Sequence, residues 1–475
     1  MTKVSVIITC HNYGRYLAQA IESVLQQTFR DFEIIVVDDG STDNTPDVIK
    51  VFAHHPMVRT LRLDGIGLAR SANAAIRASS GEYIIRLDAD DYFDENILLV
   101  LANILDRHAE YGMVFPDYYQ VTQYGEVIDQ IRQPKVNDEV KLLDRSALAA
   151  GALYRRSCYE VIGGYSEELR FNEDYDFWIR FVDRFRVYNV QLPLMYYRKH
   201  NNSMSTTAAE RRAIARRHVK AKFVERERDL QDRKVLFVLP IMAENRYRRR
   251  LALTELHGRP MLAYAIEQAK RVKLFDRVIV DTEDEAIAEA ARAAGAEVPF
   301  IRPRKLARLT VSTTEVLRHC VRTLDQEEGY RPDLMVVGTF SCPFITAAHM
   351  EEALHSLAIF HCDSVIGVGV NLRYHWQPGP HGLEPVLYPR KLVNDQKWVT
   401  YEERGGLYAL TLDNLHGEHF LGKSVSFVEI DEAEGLRIDS DYHFWLAEQM
   451  LKVGFWERRN EEYERFVTTR AAVNP

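Results

Sequence analysis

The chain has 475 residues, more than one hydrophobic core serves, so two or more domains are expected. Its 46% hydrophobic and 27% charged content is ordinary for a globular protein, and a net charge of −8 argues against nucleic acid as a partner. Five scattered cysteines, Cys10, Cys158, Cys320, Cys342 and Cys362, form neither a C-x-x-C pair nor an even framework, which reads as reduced thiols in a cytoplasmic protein without zinc or disulfides.

Met1-Thr2-Lys3 leads, with no signal-peptide pattern, into residues 4–9 (VSVIIT), a β-branched run expected as a buried strand. A polar loop, Cys10-His11-Asn12-Tyr13-Gly14, follows. Leu17, Ala20, Ile21, Val24 and Leu25 then recur at helical spacing. Residues 33–37 (EIIVV) predict a second strand ending in Asp38-Asp39-Gly40-Ser41-Thr42-Asp43, and residues 45–52 a helix. Residues 83–87 predict a strand that runs into Asp88-Ala89-Asp90-Asp91. Strand–helix alternation implies a parallel sheet, whose ligands bind at the carboxyl ends of the strands. Both acidic loops belong to that edge. Three carboxylates within four residues repel one another unless a cation or strong donors compensate them, which suits Mg²⁺ or Mn²⁺ held against a diphosphate. An acidic turn capping a helix is the alternative reading of the cluster alone.

The stretch VSVIITCHNYGRYLAQAIESVLQQTFRDFEIIVVDDGSTDNT resembles the opening of family 2 glycosyltransferases of GT-A fold. The resemblance continues through GLARSANAAI, GEYIIRLDADD, GGYSEELRFNEDYDFWIR and YRKHNNSMS, and covers residues 1–207. It implies that Thr9, His11, Tyr13 and Asp39 line a nucleoside pocket, that Asp88 contacts the nucleotide sugar, and that Asp90 ligates the metal, with Asp91 in support. It implies that Asp174 is the catalytic base, with Glu173 and Asp176 as rivals, and that His200 approaches the diphosphate. Arg70 and Asn73 fall in a helix that would abut the donor or simply pack. The implied reaction is inverting transfer from a nucleoside-diphosphate sugar to a cell-surface glycan or lipid-linked acceptor. The Q-x-x-R-W pattern of processive synthases is absent, which favours transfer of one sugar or a few. Acceptor choice would lie in loops such as residues 115–152.

Residues 208–232 shift in composition. From 208 to 234 ten Lys and Arg face five Asp and Glu, without Gly or Pro, so a solvated helical linker is expected. Such a basic helix also allows peripheral contact with the inner face of the plasma membrane. No run of about 18 apolar residues offers a membrane span.

Residues 233–455 restart the strand–helix pattern with strands at 235–240, 276–281, 334–337 and 364–368 and helices around 262–269 and 286–294. Thus the fold class is α/β, two nucleotide-binding domains in tandem. HGRPMLAYAIEQAKRVKLFDRVIVDTEDEAIAEAARAAGAEVPFIRP, PDLMVVGTFSCPFITAAHMEEAL and VEIDEAEGLRIDSDYHFWLAE make this half similar to the acylneuraminate cytidylyltransferases, the CMP-sugar synthetases. That resemblance implies CTP as a partner and Asp439 and Asp441 as Mg²⁺ ligands. The family's glycine-rich phosphate loop falls on residues 242–247, which have lost their glycines. Met242, Leu251 and Ala252 replace its arginine and Lys-Asn, and residues 339–345 lack its base-reading Gln and substrate-binding Arg. Arg246 and Arg248 to Arg250 could supply charge instead. The expected reading is a non-catalytic second domain serving in binding, scaffolding or homo-oligomer formation. A bifunctional enzyme that makes its own CMP-sugar and a sugar-nucleotide-binding scaffold without turnover stay open. Residues 456–475 are charged and expected to fray.

Overall fold

Apolar and β-branched residues of VSVIITC form strand β1 (Val4–Cys10), buried along its whole length. In this computed structural model the described residues are 2–133, 151–169, 172–200, 209–227, 230, 232–371, 375–380, 382–386 and 400–472. The chain divides into two compact units, Met1–Phe223 and Val224–Pro475.

In the first unit β1 is followed by α1 (Gly14–Leu25), β2 (Phe32–Asp39), α2 (Thr45–Phe52), β3 (Val58–Leu63), α3 (Leu68–Ala78) and β4 (Tyr83–Asp88). β1 pairs in parallel with β2 and β4, and β2 with β3. Registers Cys10↔Asp38 and Thr9↔Asp88 bring Thr9, Asp38 and Asp88 to one carboxyl edge. The sheet then continues away from the parallel pattern. It adds β5 (Tyr92–Phe93), α4 (Ile97–Arg107), β6 (Tyr111–Val121), β7 (Val127–Ile131), β8 (Leu153–Arg155), α5 (Arg156–Ile162), α6 (Glu173–Arg184) and β9 (Arg186–Arg198). The order is β3-β2-β1-β4-β8-β6-β9-β5, with β7 beside β6, and β8 runs antiparallel to both β4 and β6. One face of β1, β2 and β4 meets Leu17, Ile21 and Val24 of α1 and Leu98, Leu101 and Leu105 of α4 in a continuous core. Burial of this order supplies the main driving force of the fold.

Helix α7 (Ala209–Glu227) occupies the stretch expected as a solvated linker. Its C-terminal half differs from that expectation: Val219, Lys220, Ala221 and Phe223 are buried. Arg216 lies 4.6 Å over the Tyr175 ring, and Lys222 pairs with Glu168, so the basic side chains here are used for packing on the first unit. The boundary between units falls inside the helix, at 223/224.

The second unit contains β10 (Val235–Ile241), β11 (Glu255–Leu256), β12 (Arg259–Pro260), α8 (Met261–Arg271), β13 (Arg277–Thr282), α9 (Glu285–Ala293), α10 (Thr313–Glu328), β14 (Leu334–Val337), α11 (Ala347–Phe360), β15 (Ser364–Asn371), β16 (Trp376–Gly379), β17 (Gly382–Pro385), β18 (Thr400–Thr411), β19 (Val425–Glu429), α12 (Asp441–Lys452) and α13 (Phe455–Ala472). Its six-stranded sheet has the order β13-β10-β14-β18-β15-β19, parallel at β13-β10-β14 and mixed beyond. Both units are therefore α/β, as expected. All five cysteines are free and buried. Among the described residues no helix is long and apolar enough to cross a membrane.

The C-terminal segment is not the fraying tail expected. Its helix α13 seats Trp456, which is buried, edge-on to Tyr264 at 5.4 Å and tilted against Phe344 at 6.2 Å. The Tyr463 hydroxyl donates to buried Glu351 at 2.9 Å, and Arg459 pairs with Asp431 and Glu434 at 3.0 and 3.4 Å. Replacing Trp456 by Ala should cost about 3–5 kcal/mol, read as a lowered denaturation midpoint of the second unit. An unchanged midpoint would mean that the helix only rests on the surface.

Candidate functional site

The polar loops after β1 and β2 are stitched to each other. Asn12 takes a left-handed conformation (φ 62°), its N–H donates to Ser41 Oγ at 2.9 Å, and its side-chain oxygen accepts from Thr42 N at 2.8 Å. Asp43 accepts from Gly14 N at 2.9 Å and Thr45 N at 3.0 Å, and Asp38 from Ser41 N at 2.8 Å. These two acids close the loops. A Cβ on Gly14 would come within 2.6 Å of Thr45 N, so only glycine permits this approach. Asp39 has a different setting: its carboxylate accepts from Ile66 N and Gly67 N, at 2.8 Å each, and its carbonyl accepts from His11 Nδ1 at 2.7 Å. Each carboxylate oxygen keeps further lone pairs for a ligand's N–H or O–H. Thr9, beside Asp88 in the register, is buried with its hydroxyl unpaired.

The Asp88–Asp91 turn closes through Asp91 N donating to Asp88 O at 3.0 Å. Asp90 Oδ2 accepts from His200 Nε2 at 3.0 Å, and the His200 ring is tilted against Tyr16 and edge-on to Tyr13, both with centroids at 5.5 Å. Asp91 is buried and accepts from Arg198 N at 2.8 Å. Burial, then repulsion from Asp88, pushes the Asp90 carboxyl above its ordinary range, with His200 opposing. Burial and then Asp90 and Asp88 push Asp91 up further. The Tyr13 phenol is pushed to about 12 by burial and then by Asp90 and Asp88. A site that strains this many carboxylates is under-compensated, which fits a divalent cation. His200 Nδ1 is buried without a hydrogen bond, and Asp88 Oδ1, also without one, faces the Arg86 guanidinium at 3.2 Å. Among the described residues no three His, Cys, Asp or Glu side chains converge as a self-sufficient metal cage. His200→Ala should weaken Mn²⁺ binding about 10–100-fold, measured by metal titration of the full chain, because the ring orients Asp90. Equal affinity in the variant would make His200 a packing residue.

Sequence reasoning missed Arg198. From the end of β9 its Nε donates to Asp90 O at 2.7 Å and its Nη2 to Gln19 at 2.7 Å, while its guanidinium lies 4.7 Å over Tyr16. The signal was the arginine of the Tyr197-Arg198-Lys199-His200 motif. The rest of that motif, residues 201–205, lies outside the described residues, as do 134–150 of the loop expected to choose the acceptor.

Asp174, the expected base, and its rival Glu173 open α6 after Asn172, which is left-handed (φ 59°). Three acids in a first turn complement the helix dipole. Asp176 is excluded as a base, because Arg180 Nε donates to it at 2.9 Å and Arg180 Nη1 to Ile162 O at 2.6 Å, forming a buried clamp. Asp174 is half-buried and accepts from Tyr175 N at 2.8 Å. Glu173 is buried, 3.8 Å from Arg86 Nη1, and burial followed by Asp174 raises it to about 7 against the opposing Arg86. Asn73 is saturated by Tyr159 OH at 2.6 Å, Tyr165 N at 3.1 Å and Tyr165 O at 2.9 Å, so its role is packing. Arg70 lies 4.0 Å from Glu167.

The equivalent edge of the second unit is filled by its own side chains. Arg302, buried, reaches the Ile241 and Asp281 carbonyls, stands 3.5 Å from Asp281 Oδ1 and 3.3 Å from Glu283. Glu283 accepts from Ala243 N at 2.8 Å, in the loop that replaces the phosphate loop. Arg248, Arg249 and Arg250 pair with Asp441, Glu244 and Asp284 at 3.3, 3.4 and 2.7 Å. Asp439 pairs with His443 at 2.7 Å, and Asp441 also accepts from Tyr247 OH. Both acids are exposed, and Asp441 already carries a cationic partner.

The first unit thus brings together the stitched loops after β1 and β2, the Asp88–Asp91 turn and, through Arg86, the acidic start of α6. A model of glycosyl transferase family 2 matches residues 5–163, and a cytidylyltransferase model matches residues 252–358. The chain belongs to the family 2 glycosyltransferases. EpsE of Bacillus subtilis (strain 168) is 30% identical over 212 residues, 42% of this chain and 74% of that protein. The chondroitin synthase of Escherichia coli is 25% identical over 178 residues, 37% of this chain and 26% of that protein, so this chain spans about a quarter of that longer relative. The structure of S. aureus TarS residues 1–349 with UDP-GlcNAc superposes with a TM-score of 0.41 at 23% identity, over 48% of this chain and 70% of that one.

Proposed function

We propose that the first unit transfers a sugar from a nucleoside-diphosphate donor to a glycan or lipid-linked acceptor hydroxyl with inversion, and that the second unit is a cytidylyltransferase-like domain without turnover. The observation that carries the first part is the convergence of Thr9, Asp39, Asp88, Asp90 and His200 on the carboxyl edge of β1, β2 and β4. Asp39 and His11 offer acceptor and imidazole contacts to the nucleoside, and Asp88 accepts from donor hydroxyls. A divalent cation bound through Asp90 would stabilise the departing diphosphate charge. Asp174 accepts the acceptor's proton as its oxygen attacks the anomeric carbon.

Glu173 supplies a pH signature. Its carboxyl is raised from 4.5 to about 7, so it is protonated below that pH and ionised above it. With Asp174 adjacent, the pair gains its second negative charge only as pH rises through about 7. We expect kcat/KM to rise along an acid limb there, and Glu173→Gln to move that limb to lower pH in a pH–rate profile. A limb unmoved by Glu173→Gln would separate Glu173 from the reaction.

The direct test is thermal shift of the full chain against UDP, CDP, GDP and ADP, each with and without Mn²⁺. Stabilisation by one nucleoside diphosphate, enhanced by metal, is expected. No shift under any condition would refute the transferase reading. For the second unit the bifunctional alternative keeps one support, the cytidylyltransferase match. Against it stand the glycine-free loop, the arginines committed to carboxylates and the plug formed by Arg302. Pyrophosphate release from CTP across a panel of acidic sugars would overturn the inactive reading.

A further inference from the structure

Strand β4 is buried from Tyr83 to Leu87, yet its fourth residue is Arg86, which is 8% exposed. A guanidinium in such a place is costly unless it is paired. Its partners come from two elements. Nε lies 3.2 Å from Asp88 Oδ1 and Nη2 3.5 Å from Asp88 Oδ2, two residues along the same face of β4. Nη1 points to the start of α6, 3.8 Å from Glu173 Oε1, and makes no hydrogen bond of its own. At that distance the contact is an ion pair and not a hydrogen bond. The Arg86 guanidinium also lies 5.5 Å over the Tyr165 ring, and Tyr165 stacks on Phe177 of α6 at 4.6 Å. One rigid, planar fork therefore joins the strand that ends in the donor-side acid to the helix that begins with the base. Stability alone does not call for this arrangement, because apolar residues of similar volume commonly serve a core as well as a buried ion pair or better.

We propose that Arg86 is a positioning residue for sugar transfer: its guanidinium spans Asp88 and Glu173, fixes the first turn of α6 against the donor strand, and so aims Asp174 at the acceptor hydroxyl. The inference rests on the transferase reading of the first unit.

The test uses the full chain and four variants: Arg86→Met, Arg86→Lys, Glu173→Gln and the double variant Arg86→Met/Glu173→Gln. Turnover of UDP-N-acetylglucosamine, UDP-glucose and GDP-mannose with Mn²⁺ gives kcat and KM, and calorimetry gives UDP and GDP affinity. Arg86→Met should lower kcat about 100-fold, the scale of a misplacement of about 1 Å, with nucleotide affinity held within about threefold. Arg86→Lys, which keeps the charge but cannot span both acids, should lose about tenfold. The double variant should lose no more than Arg86→Met alone, because both changes break one link. Losses that multiply in the double variant, or a loss seen wholly in nucleotide affinity, would overturn the proposal. The double variant also leaves less uncompensated charge than Arg86→Met. Should Arg86→Met fail to fold, Arg86→Lys decides: wild-type kcat overturns the role, and a tenfold loss at unchanged affinity supports it. A wild-type protein that binds neither nucleotide refutes the transferase reading itself, an outcome distinct from an active wild type with multiplicative losses.

Discussion

Asp90→Ala should reduce sugar transfer at least about 1,000-fold while the melting temperature of the first unit stays near that of the wild type. The size follows from the several kcal/mol that a divalent cation contributes to charge on a leaving diphosphate, at 1.36 kcal/mol per factor of ten. The fold should survive because, among the described residues, the Asp90 carboxylate's side-chain partner is the His200 ring, and removing one of several crowded acids relieves repulsion among Asp88, Asp90 and Asp91. Arg198 grips this turn at the Asp90 carbonyl, which the substitution leaves in place. Chelation of the wild type should reproduce the loss, and Mn²⁺ should restore the wild type without restoring the variant. Asp174→Asn should lower kcat about 100- to 10,000-fold, the range of a lost general base. Its nucleoside-diphosphate binding should be unchanged, which separates a defect in proton transfer from one in donor capture. Retained turnover in Asp174→Asn would pass the role to Glu173.

The second large effect lies in the other unit. Arg302→Met should destabilise it by about 3–5 kcal/mol, since breaking a buried ion network leaves charge without compensation. Asp281 would be the stranded group: it is fully buried, and neither of its oxygens has a hydrogen bond. Burial already raises its carboxyl to about 6, with Arg302 holding it down and Glu283 pushing it up. The sign follows. A carboxyl raised in the folded state keeps its proton longer there than in the unfolded chain, so its contribution to stability falls as pH rises from about 4 through about 6. Without Arg302 the carboxyl moves higher still, so the deficit of the variant should be smaller at pH 5 than at pH 8. Chemical denaturation at the two pH values measures both the size and the slope. A deficit independent of pH would locate the loss in the carbonyl contacts of Arg302 rather than in Asp281.

The parallel core of each unit was legible in sequence because buried parallel strands are short, β-branched and end in polar turns. Strand β1 is expected at 4–9 and found at Val4–Cys10, and β14 is found at the expected residues. The acidic turn after β4 was legible because the motif carries its own spacing; that Glu173 and Asp174 open a helix was not. The mixed extension β6–β9 was not legible either, because its partners are set by tertiary pairing, antiparallel between β6 and β8 and parallel between β6 and β9. The burial of α7 was hidden for a related reason: Lys and Arg cover apolar surface with their stems, so a basic stretch can pack as well as dissolve. The docking of α13 depended on Trp456, one aromatic among charges, whose pocket of Tyr264 and Phe344 is built from distant segments. Arg86, a lone charge inside an otherwise apolar strand, was passed over in the sequence, and only geometry shows that it reaches two elements.

The Glu283 carboxylate on the Ala243 amide has a consequence for any ligand of the second unit. That amide is the kind of donor a triphosphate would seek, and here an acid attached to the same scaffold already holds it at 2.8 Å. A tethered anion competes without the translational and rotational cost that an incoming nucleotide bears. The edge therefore behaves as a lock with its key cast in place. If the second unit binds no nucleotide, as proposed, regrafting a glycine-rich loop onto residues 242–247 would leave this amide still held by Glu283. Glu283 would have to be neutralised first, while Arg302 stays committed to Asp281 and the Ile241 carbonyl.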